Sequence, residues 1–280
     1  MIARSVVDGD GLGHRVNERS RSLAKRVLRR LIGGRVYTIR RGVATGLRRQ
    51  GGFDFLPRLR PTAEHRFFRA HDFRGRTVYD IGGNEGVLTL FFARAVGPTG
   101  RVLVFEPNPR SFESIQTNVG LNALGNVVAY QRGVGSRAAT MELTFPDEEP
   151  GRGTFRRDAA DVLRHERGPG VRTTAKIPIE TIDHLVMDDC FPDPSFVKID
   201  VEGMECEVVK GMSATIERCH PEIFLELYGI SEADKSANAT CALGLLRSFG
   251  YRVLHVETGT FVDDPAVFLP LEGHLYAAQA

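Results

Sequence analysis

Cysteine is scarce in this 280-residue chain and never paired along it. Cys190, Cys206, Cys219 and Cys241 are scattered and form no CxxC pair. Neither a disulfide framework nor a zinc site is expected, and a reducing cytoplasm is the expected home. A run of about 18 apolar residues is missing, so no membrane-spanning helix is expected. The basic N-terminus lacks an apolar core of signal-peptide length, so export is not expected either. The dinucleotide fingerprint G-x-G-x-x-G is also absent.

What is present is an ordinary globular composition, 42% hydrophobic and 26% charged. The net charge of +2 conceals an asymmetry. Residues 1–60 hold 15 of the 37 Lys and Arg but only four of the 35 Asp and Glu, a net of +11 against −9 for the rest. A basic leader on an acidic body suggests two different jobs. Residues 1–19 read as disordered. Residues 20–32 read as an amphipathic helix with Leu23, Val27, Leu28, Leu31 and Ile32 on one face and arginines mostly opposite. That helix suits docking onto the body or lying on an anionic membrane surface as a peripheral contact. Nucleic acid is disfavoured as a partner, because stacking aromatics are nearly absent there. Two short strands around glycine turns follow, and everything before about residue 60 is taken as an extension of a domain at 61–280.

From Thr77 onward apolar strands alternate with helices of ten or more residues. "TVYDIG", "RVLVFEP", "NVVAYQRGVG", "SFVKIDVE", "EIFLELYG" and "YRVLHVE" are the strands. This pattern predicts an α/β fold with a mostly parallel sheet covered on both faces. A polar excursion, with a candidate lid at 146–172, interrupts it.

In such a sheet the ligand lies beyond the C-terminal strand ends. "DIGGNEG" leaves the first strand there. Gly82, Gly83 and Gly86 let the backbone turn sharply and approach a ligand. The second strand ends in Glu106, whose carboxylate can accept both hydrogens of a ribose diol. Asp80, Glu85 and Glu106 would surround a pyrophosphate with negative charge. An acidic loop suits a cationic cofactor instead, and S-adenosylmethionine carries a sulfonium, an ammonium and a ribose.

At this point the chain resembles the FkbM-type family of class I S-adenosylmethionine-dependent methyltransferases. The resemblance rests on "VYDIGGNEGVLTLFFARAVGPTGRVLVFEPNP", "FVKIDVEGMECEVVKG" and "PEIFLELY", and covers about residues 60–257. It implies a Rossmann-like, mostly parallel seven-stranded sheet. It implies a cofactor site of Asp80, Gly82, Asn84, Gly86, Glu106, Pro107 and Asn108. Gly133 to Ser136 are placed to reach the adenine, and Glu64 the methionine end. A small-molecule or carbohydrate acceptor, methylated on a hydroxyl, is what the resemblance implies. An RNA 2′-O-methyltransferase and a non-catalytic cofactor-binding module are the alternatives.

Methyl transfer is an in-line displacement that depends on alignment, and a hydroxyl acceptor must also lose a proton. Lys198, Asp200 and Glu202 are expected to alternate onto one face of the fourth strand. Glu226 on the next strand converges on the same rim. These four are the candidate catalytic residues, with Asp200 holding the cofactor or accepting the proton. A divalent cation at the carboxylates is a further reading, not favoured because no clean ligand set is visible. Lys198 reads equally as a buried salt-bridge partner. His184 reads as a surface residue, and Asp183 as a cap. Arg156, in the lid, is a candidate for recognising an acidic substrate.

Overall fold

The computed structural model describes residues 34–51, 62–146, 153–156, 172–229, 231–262 and 273–279. The expected leader helix at 20–32 and most of the expected lid lie outside them.

An antiparallel pair, β1 (Val36–Thr38) and β2 (Arg48–Gln50), comes first, followed by α1 (Ala63–Ala70). The main sheet is built from β3 (Thr77–Ile81), β4 (Arg101–Phe105), β5 (Val127–Tyr130), β9 (Phe196–Ile199), β10 (Glu222–Glu226), β11 (Tyr251–His255), β12 (Thr260–Phe261) and β13 (His274–Gln279). Its spatial order is β12-β11-β13-β10-β9-β3-β4-β5. Five neighbouring strands, β10, β9, β3, β4 and β5, run parallel; β13 inserts antiparallel between β10 and β11. The order reverses between β3 and β9, and there the two outgoing loops part to leave a crevice. This is the Rossmann-like arrangement expected of the family resembled. The sheet has eight strands rather than seven, because β12 adds a two-residue edge strand to β11.

Side chains alternate across each strand, so each strand feeds two cores. Tyr79, Ile81, Val197, Ile199, Ile223 and Leu225 pack against α4 (Ile182–Met187), α5 (Glu205–Lys210), α6 (Ser213–Cys219) and α7 (Glu232–Ser248). Val78, Val102, Phe196 and Phe224 pack against α1 and α2 (Val87–Val96) on the other face. The second core is aromatic: Phe68 lies 4.5 Å from Phe224 and 5.2 Å, edge-on, from Phe92. Truncating so buried a ring costs about 3–5 kcal/mol.

Ile39, Val43 and Ala44 join that aromatic core, although sequence grouped them with the extension. Backbone N–H groups of Arg48 and Gln50 donate to Asn122 (2.7 Å), the C-cap of α3 (Pro109–Leu121), and to Asn118 (2.8 Å) within it. Between β9 and β10 two short helices, α5 and α6, meet at Gly211. A Cβ at Gly211 would lie 1.9 Å from the Gly135 carbonyl oxygen. The excursion forms its own sheet of β6 (Gly133–Val134), β8 (Arg172–Glu180) and β7 (Ala139–Pro146), in that order. Cys206 and Cys241 are joined as a disulfide between α5 and α7, against the expectation from their spacing. No described helix is long and apolar enough to cross a membrane.

Candidate active site

β3 runs straight into the glycine loop because two of its glycines sit where no side chain fits. Gly82 has φ +81°, and a Cβ there would lie 1.8 Å from the Asp200 carbonyl oxygen. A Cβ on Gly83 would lie 2.3 Å from Val104. The loop therefore presses against both the β9 end and β4, which opens the crevice mouth at the strand reversal. Gly86 (φ 85°) begins α2 and packs on Ile115, so it shapes the loop and does not line the crevice.

Glu106 follows β4 and is buried on the crevice wall. Its two oxygens accept from the backbone N–H groups of Asn84 (2.7 Å) and Asn108 (2.8 Å). Burial pushes the carboxyl up to about 8, against the pull of those two N–H groups. Asn108 caps α3, accepting from Arg110 N–H at 2.9 Å, and Pro109 starts the helix. One cavity is lined by Gly82, Asn84, Glu106, Pro107, Asn108, Gly133, Asp200 and Glu202. Eight of the residues singled out from sequence thus share one wall.

The other candidates stand elsewhere. Asp80, expected to touch the cofactor, is wholly buried beneath the loop. Its Oδ2 accepts from the Thr89 hydroxyl at 2.6 Å, and its Oδ1 lies 3.5 Å from Lys198 Nζ. Lys198, read as catalytic, is buried as well. It donates to the Gly82 carbonyl at 2.7 Å and pairs with Asp200 at 3.1 Å. Burial opposes its charge, but Asp200 and Asp80 outweigh burial and hold the ammonium above its ordinary value. Asp80 and Lys198 are register partners on β3 and β9, and together they brace the loop from below. Ser136 turns its hydroxyl onto Glu207 of α5 and does not line the cavity.

Asp200 and Glu202 do not alternate along a strand. β9 ends at Ile199, and Glu202 has φ 54°, so both belong to the outgoing loop. Glu226 ends β10, on the other side of Lys198 and Asp200 from the cavity, and is half exposed. Burial, Asp200 and Glu64 raise its carboxyl, while His274 and Lys198 oppose them.

Asp183 accepts from the backbone N–H of Thr215 (2.7 Å) and Ala214 (3.1 Å), so it caps α6. His184 is exposed and pairs with Asp188. Arg156 grips Asp234 of α7 through two contacts of 2.7 and 2.8 Å. Sequence reasoning missed Phe155 and Leu143, which close the cavity from the small sheet, and Arg132, which stacks on Tyr130 at 5.4 Å. It also missed His274. Phe155 sits in a polar stretch, and His274 opens a strand that no motif marks.

A model of the methyltransferase FkbM domain matches residues 80–253. The chain belongs to the FkbM methyltransferase family. It is 28% identical to Methyltransferase 1 of Beauveria bassiana over 185 residues, 63% of this chain and 72% of that protein. It is 30% identical to the hexuronic acid methyltransferase AglP of Haloferax volcanii over 142 residues, 50% of this chain and 51% of that one. Methyltransferase sdnD of Sordaria araneosa is 32% identical over 156 residues, 48% of this chain. The chain thus spans 60% and 51% of the sdnD and AglP lengths. Among solved structures, a FkbM methyltransferase from Methylobacillus flagellatus aligns at a TM-score of 0.45 and 16% identity, over 72% of this chain and 43% of that one.

An FkbM methyltransferase draws its methyl group from S-adenosylmethionine, and the cavity suits that molecule. The carboxylates of Asp200 and Glu202 on the cavity lining suit a cation better than a pyrophosphate.

Proposed function

We propose that this FkbM protein methylates a hydroxyl oxygen of a small neutral acceptor, a sugar or a polyketide-like metabolite. The observation that carries the reading is a cluster of acidic side chains beside the cofactor cavity. Asp200 belongs to the cavity wall and faces Lys198, and beyond Lys198 stand Glu226, Glu64 and His274. Bound S-adenosylmethionine supplies an electrophilic methyl on sulfur. Gly82 and Asn84 would hold its amino-acid end, and Glu106 its ribose. Asp200, fixed by Lys198, would orient the acceptor at the shared edge, so positioning supplies much of the rate.

The acidic cluster also selects among acceptors. Three carboxylates at the rim repel a uronate, so a neutral polyol fits better than the hexuronic acid named for the Haloferax relative. The net charge of −9 on the body disfavours RNA. Among the described residues no group of three His, Cys, Asp or Glu is arranged to hold a metal, and the reading needs none. The basic helix at residues 20–32 is assigned, from sequence alone, to docking or to peripheral membrane contact. Deleting residues 1–33 should abolish co-sedimentation with anionic liposomes if the membrane role holds.

Calorimetric titration tests the cofactor half. S-adenosylmethionine and its demethylated product should bind, NAD should not, and Glu106→Ala should lose both sulfur compounds. Methyl transfer from labelled cofactor to glucose, glucuronic acid and a phenol tests the acceptor half. Transfer to glucuronic acid in preference to the neutral acceptors would refute the charge argument.

A further inference from the structure

His274 opens β13, the antiparallel strand of the main sheet. Because β13 runs backwards, its first residue lies at the edge where the parallel strands end. His274 pairs in register with Glu226, the last residue of β10. An antiparallel insertion has thus delivered an imidazole to the C-terminal rim.

The ring is held in one orientation. Its flat face stacks on Phe224, with centroids 5.2 Å apart and planes at 28°. Nδ1 lies 2.7 Å from Glu257 Oε1, and the His274 backbone N–H donates to Glu257 Oε2 at 2.8 Å. A carboxylate accepts hydrogen bonds and cannot donate them once ionised, so Nδ1 carries the proton. Glu257 is itself held in that ionised form below its ordinary range; burial opposes this, and the hydrogen bonds from His274 outweigh it. In the neutral ring that leaves the lone pair on Nε2. It points between Glu226 Oε2 at 3.8 Å and Glu64 Oε1 at 4.0 Å, both beyond hydrogen-bond reach. A carboxylate on the far nitrogen fixes the tautomer and orientation of a histidine base.

We propose that His274 is the general base of methyl transfer, with Nε2 taking the acceptor's hydroxyl proton and Glu257 positioning the ring. The inference rests on the methyltransferase reading above. The acceptor O–H bond breaks and its proton passes to Nε2. The oxygen's electron pair forms the bond to the methyl carbon. The electron pair of the broken carbon–sulfur bond stays on sulfur, which becomes a neutral thioether. Glu257, Glu226 and Glu64 surround the imidazolium so formed, and Asp200 adds its field from beyond Lys198. His255, 3.4 Å from Glu257 Oε2, is the other ring that bears on this carboxylate.

Two measurements on the full-length protein test it. Nitrogen-15 spectra of histidine-labelled protein should show neutral His274 protonated on Nδ1, and Glu257→Gln should weaken that preference. With a neutral acceptor, His274→Gln should lower kcat about 10²–10³-fold. The acidic limb of the pH–rate profile should vanish, while calorimetric affinity for S-adenosylmethionine stays unchanged. Glu257→Gln should lower kcat less and move the limb. Proton on Nε2 overturns the proposal, as does full turnover in a His274→Gln protein that still binds cofactor. A wild type that binds no S-adenosylmethionine sinks the underlying reading instead, which the binding titration reveals before any variant is made.

Discussion

Lys198 Nζ donates to the Gly82 carbonyl oxygen at 2.7 Å, so a side chain of β9 holds up the loop that leaves β3. The same ammonium faces Asp80 at 3.5 Å and Asp200 at 3.1 Å. It is the only positive group of this trio, and it links the cofactor loop to the acceptor side. Lys198→Met should strand Asp80 as a buried charge and cost about 3 kcal/mol, read by denaturant unfolding. Cofactor affinity should fall with it. Adding Asp80→Asn should recover part of the stability but not the hold on Asp200.

Gly82→Ala should be severe for a steric reason. Its φ is +81° and the added methyl would meet the Asp200 carbonyl oxygen at 1.8 Å. A loss of about 3 kcal/mol or more is expected, with cofactor binding abolished. Gly125→Ala is the control, since nothing lies within 4 Å of its added methyl. Equal behaviour of the two variants in thermal unfolding would contradict the tight approach of the loop to β9.

Cofactor binding should release a proton. The Glu106 carboxyl, pushed up to about 8 by burial, is largely protonated at neutral pH in the empty protein. Accepting two ribose hydroxyls favours its ionised form. Affinity should therefore tighten as pH rises toward 8, by at most about tenfold per unit. At pH 7 the calorimetric enthalpy should depend on the buffer's ionisation heat. Glu106→Gln should remove both effects; a buffer-independent enthalpy in the wild type would contradict the assignment.

Acid stability should depend on Glu222, at the opposite edge of the sheet. Burial alone would raise this carboxyl. Contacts from His71, Tyr276 at 2.7 Å and Arg76 at 2.7 Å outweigh burial and hold it near 2. A depressed carboxyl contributes its stability above its unfolded value of 4.5 and loses it as pH falls toward about 2. Thermal midpoints of Glu222→Gln and wild type should converge across that window and differ above it.

The cavity was largely legible in the sequence because its residues follow strand ends. Gly82, Asn84, Glu106 and Asp200 each stand one to three residues past an apolar run, and strand ends of a parallel sheet share one edge. Residues beneath the site are harder to read for a related reason. Asp80 and Lys198 lie inside the strands, and a polar residue there reads the same whether it braces a loop or touches a ligand. His274 was invisible because β13 belongs to none of the motifs, and its antiparallel sense depends on the whole sheet. The Cys206–Cys241 pair was missed because α5 and α7 meet only after folding, with a Cα separation of 5.7 Å. No sequence spacing encodes that meeting.

Arg49 of β2 is buried and pairs with Glu85 in the glycine loop, while Asn118 of α3 donates to the Glu85 carbonyl at 3.1 Å. The family match begins at residue 80, thirty residues after β2. A fragment cut to that boundary would lose Arg49, Phe68 and Phe73. Its aromatic face would be naked and its cofactor loop untethered. An autonomous unit of this protein therefore includes β2 and the Ile39, Val43 and Ala44 that join the aromatic core.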